Sequence, residues 1–240
     1  MKIVNTPNFQ IAINEYGDSS SDKFCILMPG RLDTKDYANF VSHGNFLANL
    51  GYHAIAIDPP CTWDSPGDLH DYTTTTYVKS INELIALFGS RKTLLLGHSR
   101  GGATAMLAST NPCVEALALI NSSYASPAPP DKDKLVNGYL PENRGPVKFM
   151  LPMAYFEDGN KHNPLSALKN FGGAKLVVHA TRDEFTSLEK VKMIYGELHE
   201  PKMHLWIDCT HDYRLFPEII DQVNESLEDF VKYTADKQQR

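Results

Sequence analysis

Apolar and polar residues alternate over residues 2–16 in two short runs, the period-two pattern of a pair of antiparallel strands. The pattern then changes. Phe24 to Pro29 (FCILMP) is a continuous apolar run closed by Gly30, as expected of a strand covered on both faces. From Asp36 to Leu50 the residues Tyr37, Phe40, Val41, Phe46, Leu47 and Leu50 recur at helical spacing, and Gly51 supplies a stop. The strand–helix unit repeats. HAIAID (His53 to Asp58) precedes a helix over Thr75 to Phe88, with Tyr77, Ile81, Leu84, Ile85 and Phe88 on one face. KTLLLG (Lys92 to Gly97) precedes a helix of small residues over Arg100 to Thr110, halted by Asn111-Pro112, and VEALALI (Val114 to Ile120) follows. Buried strands alternating with helices predict an α/β fold whose mostly parallel sheet carries helices on both faces.

After Tyr124 the alternation stops. Residues 125–172 are rich in Pro, Gly and charge around an apolar stretch from Val147 to Phe156. Roughly 50 residues exceed what a plain connection needs. The segment is therefore expected to form a small lid inserted into a single domain spanning 1–240. The core pattern resumes with KLVVHA (Lys175 to Ala180), a helix over Ser187 to Leu198, MHLWID (Met203 to Asp208) and a last helix to near Tyr233. The terminal ADKQQR is expected to fray. These runs add up to a central sheet of about eight strands.

Composition narrows the partners more than the fold. The 240 residues are 42% hydrophobic and 22% charged, with a net charge of −6 and a pI near 5.8. Basic residues are scattered, so neither nucleic acid nor an anionic membrane is an expected partner. No apolar run approaches the roughly 18 residues of a membrane helix, and the N-terminal stretch lacks the apolar centre of a secretory signal. A cytoplasmic protein is the expectation. Cys25, Cys61, Cys113 and Cys209 form no CxxC pair, so neither a zinc site nor a dithiol site is expected, and Cys25 and Cys209 read as reduced buried thiols.

Chemistry enters at LLLGHSRGGA, Leu94 to Ala103. A serine hydroxyl is a weak nucleophile until a base takes its proton and the backbone presents it to substrate. A sharp strand-to-helix turn presents it well but crowds the chain, so only very small residues fit two positions to either side. Gly97-His98-Ser99-Arg100-Gly101 has that G-x-S-x-G spacing between a predicted strand and a predicted helix. The helix N-terminus adds unpaired N–H groups and partial positive charge beside Ser99.

On this motif and its setting the chain resembles the α/β-hydrolase family over nearly its whole length. The resemblance implies a chain order of serine, acid and histidine, the last two in loops after the final two strands. Asp183 follows KLVVHA in HATRDEF, with Glu184 as its neighbouring competitor, and His211 follows MHLWID. The family's alternative acid position, at Asn121-Ser122-Ser123, holds no acid. The resemblance also implies an oxyanion hole from two backbone N–H groups, Arg100 and one in the loop after FCILMP, where Arg31 is the first choice and Leu32 the second.

Two stretches depart from the family pattern. Pro29-Gly30 stands where His-Gly is usual; His43-Gly44 lies in a helical pattern instead. In DPPCTWDSPG (Asp58 to Gly67), Cys61-Thr62-Trp63 replaces a glycine-rich centre. Trp63 lies either at the core edge or at a pocket rim. Met150, Met153, Tyr155 and Phe156, with Leu151, either line an acyl pocket or seal the lid. The Arg31 and Arg100 side chains either recognise an anionic substrate group or pair with Asp33 or Asp36. The expected activity is that of a serine hydrolase acting on a small-to-medium carboxylic ester or thioester through an acyl-enzyme, without metal or cofactor. The same triad also serves lyases and carbon–carbon bond hydrolases, and some relatives bind or signal without catalysis. The oligomeric state is not legible.

Overall fold

The computed structural model describes residues 1–238. The chain opens with an antiparallel pair, β1 (Lys2–Asn5) and β2 (Gln10–Tyr16), before the buried strand β3 (Lys23–Met28). Then come α1 (Ala38–Asn49), β4 (His53–Ile57), α2 (Thr74–Leu87), β5 (Lys92–His98), α3 (Arg100–Ala108) and β6 (Val114–Ile120). The chain returns to the same sheet with β9 (Ala174–Ala180), α6 (Leu188–Glu197), β10 (Lys202–Ile207) and the long α7 (Pro217–Gln238). That last helix extends past the expected limit near Tyr233; of the terminus expected to fray, Gln239 and Arg240 lie outside the described residues.

The eight strands stand in the order β1-β2-β4-β3-β5-β6-β9-β10, parallel except where β2 meets β1 and β4. The order reverses between β3 and β5, and a parallel sheet opens a crevice at the carboxyl ends of its strands at such a point. Register sets what reaches it: Met28 pairs with Gly97, His98 with Ile120, and Ala180 with Ile207. The loops after β3, β5, β9 and β10 therefore leave from one edge of the sheet.

Strand alternation divides the core between two faces. Phe24, Ile26, Met28 and Leu95 point to the side covered by α2 and α3; Cys25, Leu27, Leu94 and Leu96 point to the side covered by α1 and α7. Each fully buried Leu or Ile contributes about 1.5–3 kcal/mol. The four cysteines are free, with Cys25 and Cys209 buried.

The buried face of α1 differs from the apolar set expected. Asn39, His43 and Gly44 are buried beside Phe40 and Leu47, while Val41 is exposed. Hydrogen bonds to distant residues offset most of this polar burial, leaving Asn39 Oδ1 without a partner. Asn39 Nδ2 donates to Tyr213 Oη (2.9 Å), and His43 lies 2.9 Å from the same hydroxyl through Nε2 and 2.6 Å from Asn224 Oδ1 through Nδ1. Burial pushes the His43 pKa down to about 4.

Residues 125–172 fill the connection between β6 and β9. They form an antiparallel hairpin, β7 (Tyr139–Arg144) and β8 (Val147–Pro152), then α4 (Met153–Gly159) and α5 (Pro164–Asn170). Helix α5 packs on α3 and α4 on α2, and Leu151, Tyr155, Phe156, Leu168 and Phe171 join the main core. Both parts of the segment also reach the cleft that contains Ser99, through Asn143 to Pro146 of the hairpin turn and Tyr155 of α4.

Candidate active site

Strand β5 ends at His98 and α3 begins at Arg100, so the whole turn falls on Ser99, with φ 53° and ψ −117°. A non-glycine residue held there costs about 1–3 kcal/mol and persists only where the surroundings over-determine it. They do. Ser99 N–H donates to the Ile120 carbonyl, and the Ser99 carbonyl accepts from Ser123 N–H, both at 3.0 Å. A Cβ on Gly97 would lie 2.5 Å from the backbone of Gly101; one on Gly101 would run into the Met28 carbonyl, and one on Gly102 into the Ser122 side chain. The glycines flanking Ser99 are steric requirements of the turn.

Ser99 Oγ lies 2.9 Å from His211 Nε2, and His211 Nδ1 lies 2.6 Å from Asp183 Oδ2. These residues come from the loops after β5, β10 and β9. Asp183 is positioned through its other oxygen: Oδ1 accepts from Phe185 N–H (2.8 Å) and Thr186 N–H (2.9 Å). Its side chain is 1% exposed. Burial works to raise its pKa, but the His211 ring and these two N–H groups outweigh it and hold the carboxyl below its ordinary range.

Glu184, the competing acid, is exposed and touches His211 differently: its Oε2 accepts the His211 backbone N–H at 3.0 Å. The His211 carbonyl accepts from Asn121 Nδ2 (2.9 Å) and lies 3.2 Å from His98 Nε2. The position after β6 that holds no acid thus holds an amide that fixes the His211 loop. Phe185, 77% exposed, sets its ring edgewise 4.6 Å from the imidazole.

The loop after β3 lies against Ser99. A Cβ on Gly30 would come within 3.2 Å of Ser99 Cβ, so backbone is all that fits there. Leu32 has φ 57°. Its N–H donates to Tyr72 Oη at 3.3 Å, and its carbonyl accepts from Trp63 Nε1 at 2.9 Å. The second-choice oxyanion donor is therefore already engaged.

A cleft of about 1200 Å³ holds Ser99 and His211, and Arg31, Arg100, Trp63 and Tyr155 line it. Met150, Met153 and Phe156 do not. In β8 Phe149 and Leu151 face the core, so Met150 falls on the other side of the strand; Met153 packs against the core and Phe156 is buried in it. The two arginines pair with neither Asp33 nor Asp36: Arg31 pairs with Glu142 (2.7 Å), and Arg100 donates to Thr74 Oγ1 (2.6 Å) and the Ala125 carbonyl (3.2 Å). Tyr37, Tyr124 and Phe185 also line the cleft. Sequence patterning assigned Tyr37 to a helix face and did not single out Tyr124 or Phe185, because aromatic residues in loops carry no periodicity. Among the described residues no helix is long and apolar enough to cross a membrane, and no group of three or more His, Cys, Asp or Glu is arranged to hold a metal ion.

Residues 27–224 match the alpha/beta hydrolase family. A search of curated proteins returns no match. Among solved structures, Est1E from Butyrivibrio proteoclasticus with bound ferulic acid is similar at a TM-score of 0.80 and 15% identity, covering 98% of this chain and 99% of that one. The mouse alpha/beta hydrolase domain-containing protein 10 follows at 0.76 and 17%, covering 97% and 98%. The thioesterase domain from the curacin biosynthetic pathway gives 0.70 and 13%, covering 93% and 97%.

Proposed function

The chain belongs to the alpha/beta hydrolase family, and from that premise we propose that it is a serine hydrolase cleaving a carboxylic ester or thioester through an acyl-enzyme. The observation that carries this is the unbroken relay from Ser99 Oγ through His211 to the buried Asp183, at 2.9 and 2.6 Å.

Ser99 Oγ attacks the substrate carbonyl carbon while His211 Nε2 takes its proton. The carbonyl π electrons move to oxygen, which gathers its charge against the N–H groups of Arg31 and Arg100. Asp183 holds the imidazole in the tautomer whose Nε2 can accept, and stabilises the cation that forms. Collapse expels the alcohol or thiol, which takes the proton from His211. Water, deprotonated by His211, then releases the acid and restores Ser99. Arg31 is preferred over Leu32 as the second donor because Leu32 N–H is occupied by Tyr72. A cleft of about 1200 Å³, above the roughly 300–1000 Å³ usual for a small-molecule pocket, has room for a medium-sized acyl substrate. We read 1–240 as one domain, with 125–172 as an insertion, part of which roofs this cleft. Structural neighbours that hold ferulic acid or are named as a thioesterase domain support acyl chemistry.

Intact-mass spectrometry after treatment with a fluorophosphonate tests the reading. A single adduct on the wild type, absent from Ser99→Ala, is the expected result, followed by turnover of short-chain esters or thioesters. A folded wild type that takes up no reagent refutes it.

A further inference from the structure

We propose that Arg144, on the β7–β8 hairpin, is a positioning residue for the oxyanion loop, which makes the insertion part of the catalytic apparatus as well as its cover. The proposal rests on the reading of Arg31 N–H as an oxyanion donor. Gly30 to Asp33 is a four-residue turn closed by Asp33 N–H donating to the Gly30 carbonyl at 3.2 Å. Its third residue, Leu32, sits at φ 57°, where a turn of this form favours glycine. The alternative form relieves Leu32 by flipping the central Arg31–Leu32 peptide, which exchanges the directions of its C=O and N–H. The Arg31 N–H belongs to the preceding peptide and meets this rigid plate at the Arg31 Cα, so holding the plate fixes the atom to which that nitrogen is bonded, and releasing it loosens the donor.

In the structure that plate is gripped at both ends. Arg144 donates to the Arg31 carbonyl from Nε (3.2 Å) and Nη2 (3.0 Å), while Leu32 N–H donates to Tyr72 Oη (3.3 Å). Arg144 is itself braced by Glu142 Oε2 (3.2 Å) and Asp33 Oδ1 (3.4 Å), and Glu142 Oε1 holds the Arg31 side chain at 2.7 Å. The hairpin reaches the loop a second time. Phe149 of β8 packs edgewise on Trp63 at 5.4 Å, and Trp63 donates to the Leu32 carbonyl at 2.9 Å. Both departures from the family pattern, Pro29 in place of histidine and Trp63 in a usually glycine-rich stretch, thus meet at one loop whose support comes from the insertion.

The test measures the rate at which a fluorophosphonate modifies Ser99, whose P=O occupies the oxyanion site, alongside kcat and KM for a short-chain p-nitrophenyl ester. Thermal melts check the fold of each variant. Removing a whole oxyanion donor costs 10²–10³ in rate, so misplacing one in Arg144→Ala is expected to cost about 10- to 100-fold in both phosphonylation and kcat, with KM within about threefold. Millimolar guanidinium ion should restore part of the loss. Trp63→Phe keeps the aromatic contact but loses the N–H, and should show a smaller loss of the same kind. Lys148→Ala, exposed on the same hairpin, should match the wild type. Arg144→Ala modified at the wild-type rate, or altered in KM alone, overturns the proposal while leaving the serine reading intact. A wild type that is not modified removes both. Should Arg144→Ala not fold, Arg144→Lys, which keeps the charge but loses the paired donors to the Arg31 carbonyl, decides: a wild-type rate overturns the proposal, and a lowered kcat at unchanged KM supports it.

Discussion

Asp183→Asn separates orientation from charge at the proposed triad. Oδ1 of Asp183 accepts two backbone N–H groups, at 2.8 and 2.9 Å, and a side-chain NH₂ cannot take that place. The asparagine is therefore forced to keep its carbonyl there and turn its NH₂ toward His211 Nδ1. That nitrogen must then be the acceptor, so Nε2 carries the ring proton and points it at Ser99 Oγ. The base is left in the tautomer that cannot take the serine proton. A fall in kcat of about 10⁴-fold, some 5.5 kcal/mol of barrier, follows from this wrong tautomer. Glu184→Gln keeps an oxygen able to accept the His211 N–H, so a loss below about tenfold is expected for this exposed contact. Steady-state kinetics on one ester, with melts to show both variants folded, makes the comparison. Equal losses at the two positions, or Asp183→Asn within tenfold of wild type, would refute the reasoning.

Three further expectations concern what holds the site. His43 has a pKa near 4 when folded and about 6.5 when unfolded, so the unfolded chain binds more protons between those values. Stability is complete above about pH 6.5 and falls by about 3 kcal/mol on acidification to pH 4; urea melts across this range should show a slope that His43→Gln reduces, and an unchanged slope counts against it. Lys35 and Asp58 are both fully buried, 2.9 Å apart. Lys35→Met leaves a buried carboxylate without its cation and should lower stability by about 3–5 kcal/mol in urea titration; a change under 1 kcal/mol, well short of that, would show the other donors suffice. Gly101→Ala drives a methyl into the Met28 carbonyl and should cost about 3 kcal/mol in melting experiments, whereas Gly172→Ala, with nothing within 4 Å of its Cβ, should stay within about 0.5 kcal/mol.

Periodicity was enough to place the strands and helices of the sheet, because each depends on the face its own residues present. It was not enough for α1, whose buried Asn39 and His43 bond to Tyr213 and Asn224, far away in the chain. At the site, Ser99, Asp183 and His211 were legible because each follows a recognisable strand in a fixed order. The cleft wall was not. Whether Met150 or Phe149 faces inward depends on the phase of β8, and its apolar composition hid a hairpin turning at Gly145-Pro146. Arg144 was equally hidden, since its partner Arg31 lies 113 residues away.

Separation along the chain also governs when the site comes into being. The Ser99–His211 hydrogen bond joins residues 112 apart, across strands that must first align through β6 and β9. Contacts this distant pay a large loop-closure entropy before they reward folding, so they tend to form late. Reactivity at Ser99 is thus a clock for the last stage of folding. During refolding, helical signal should rise first, and capture of a covalent probe should mark the moment the sheet is whole.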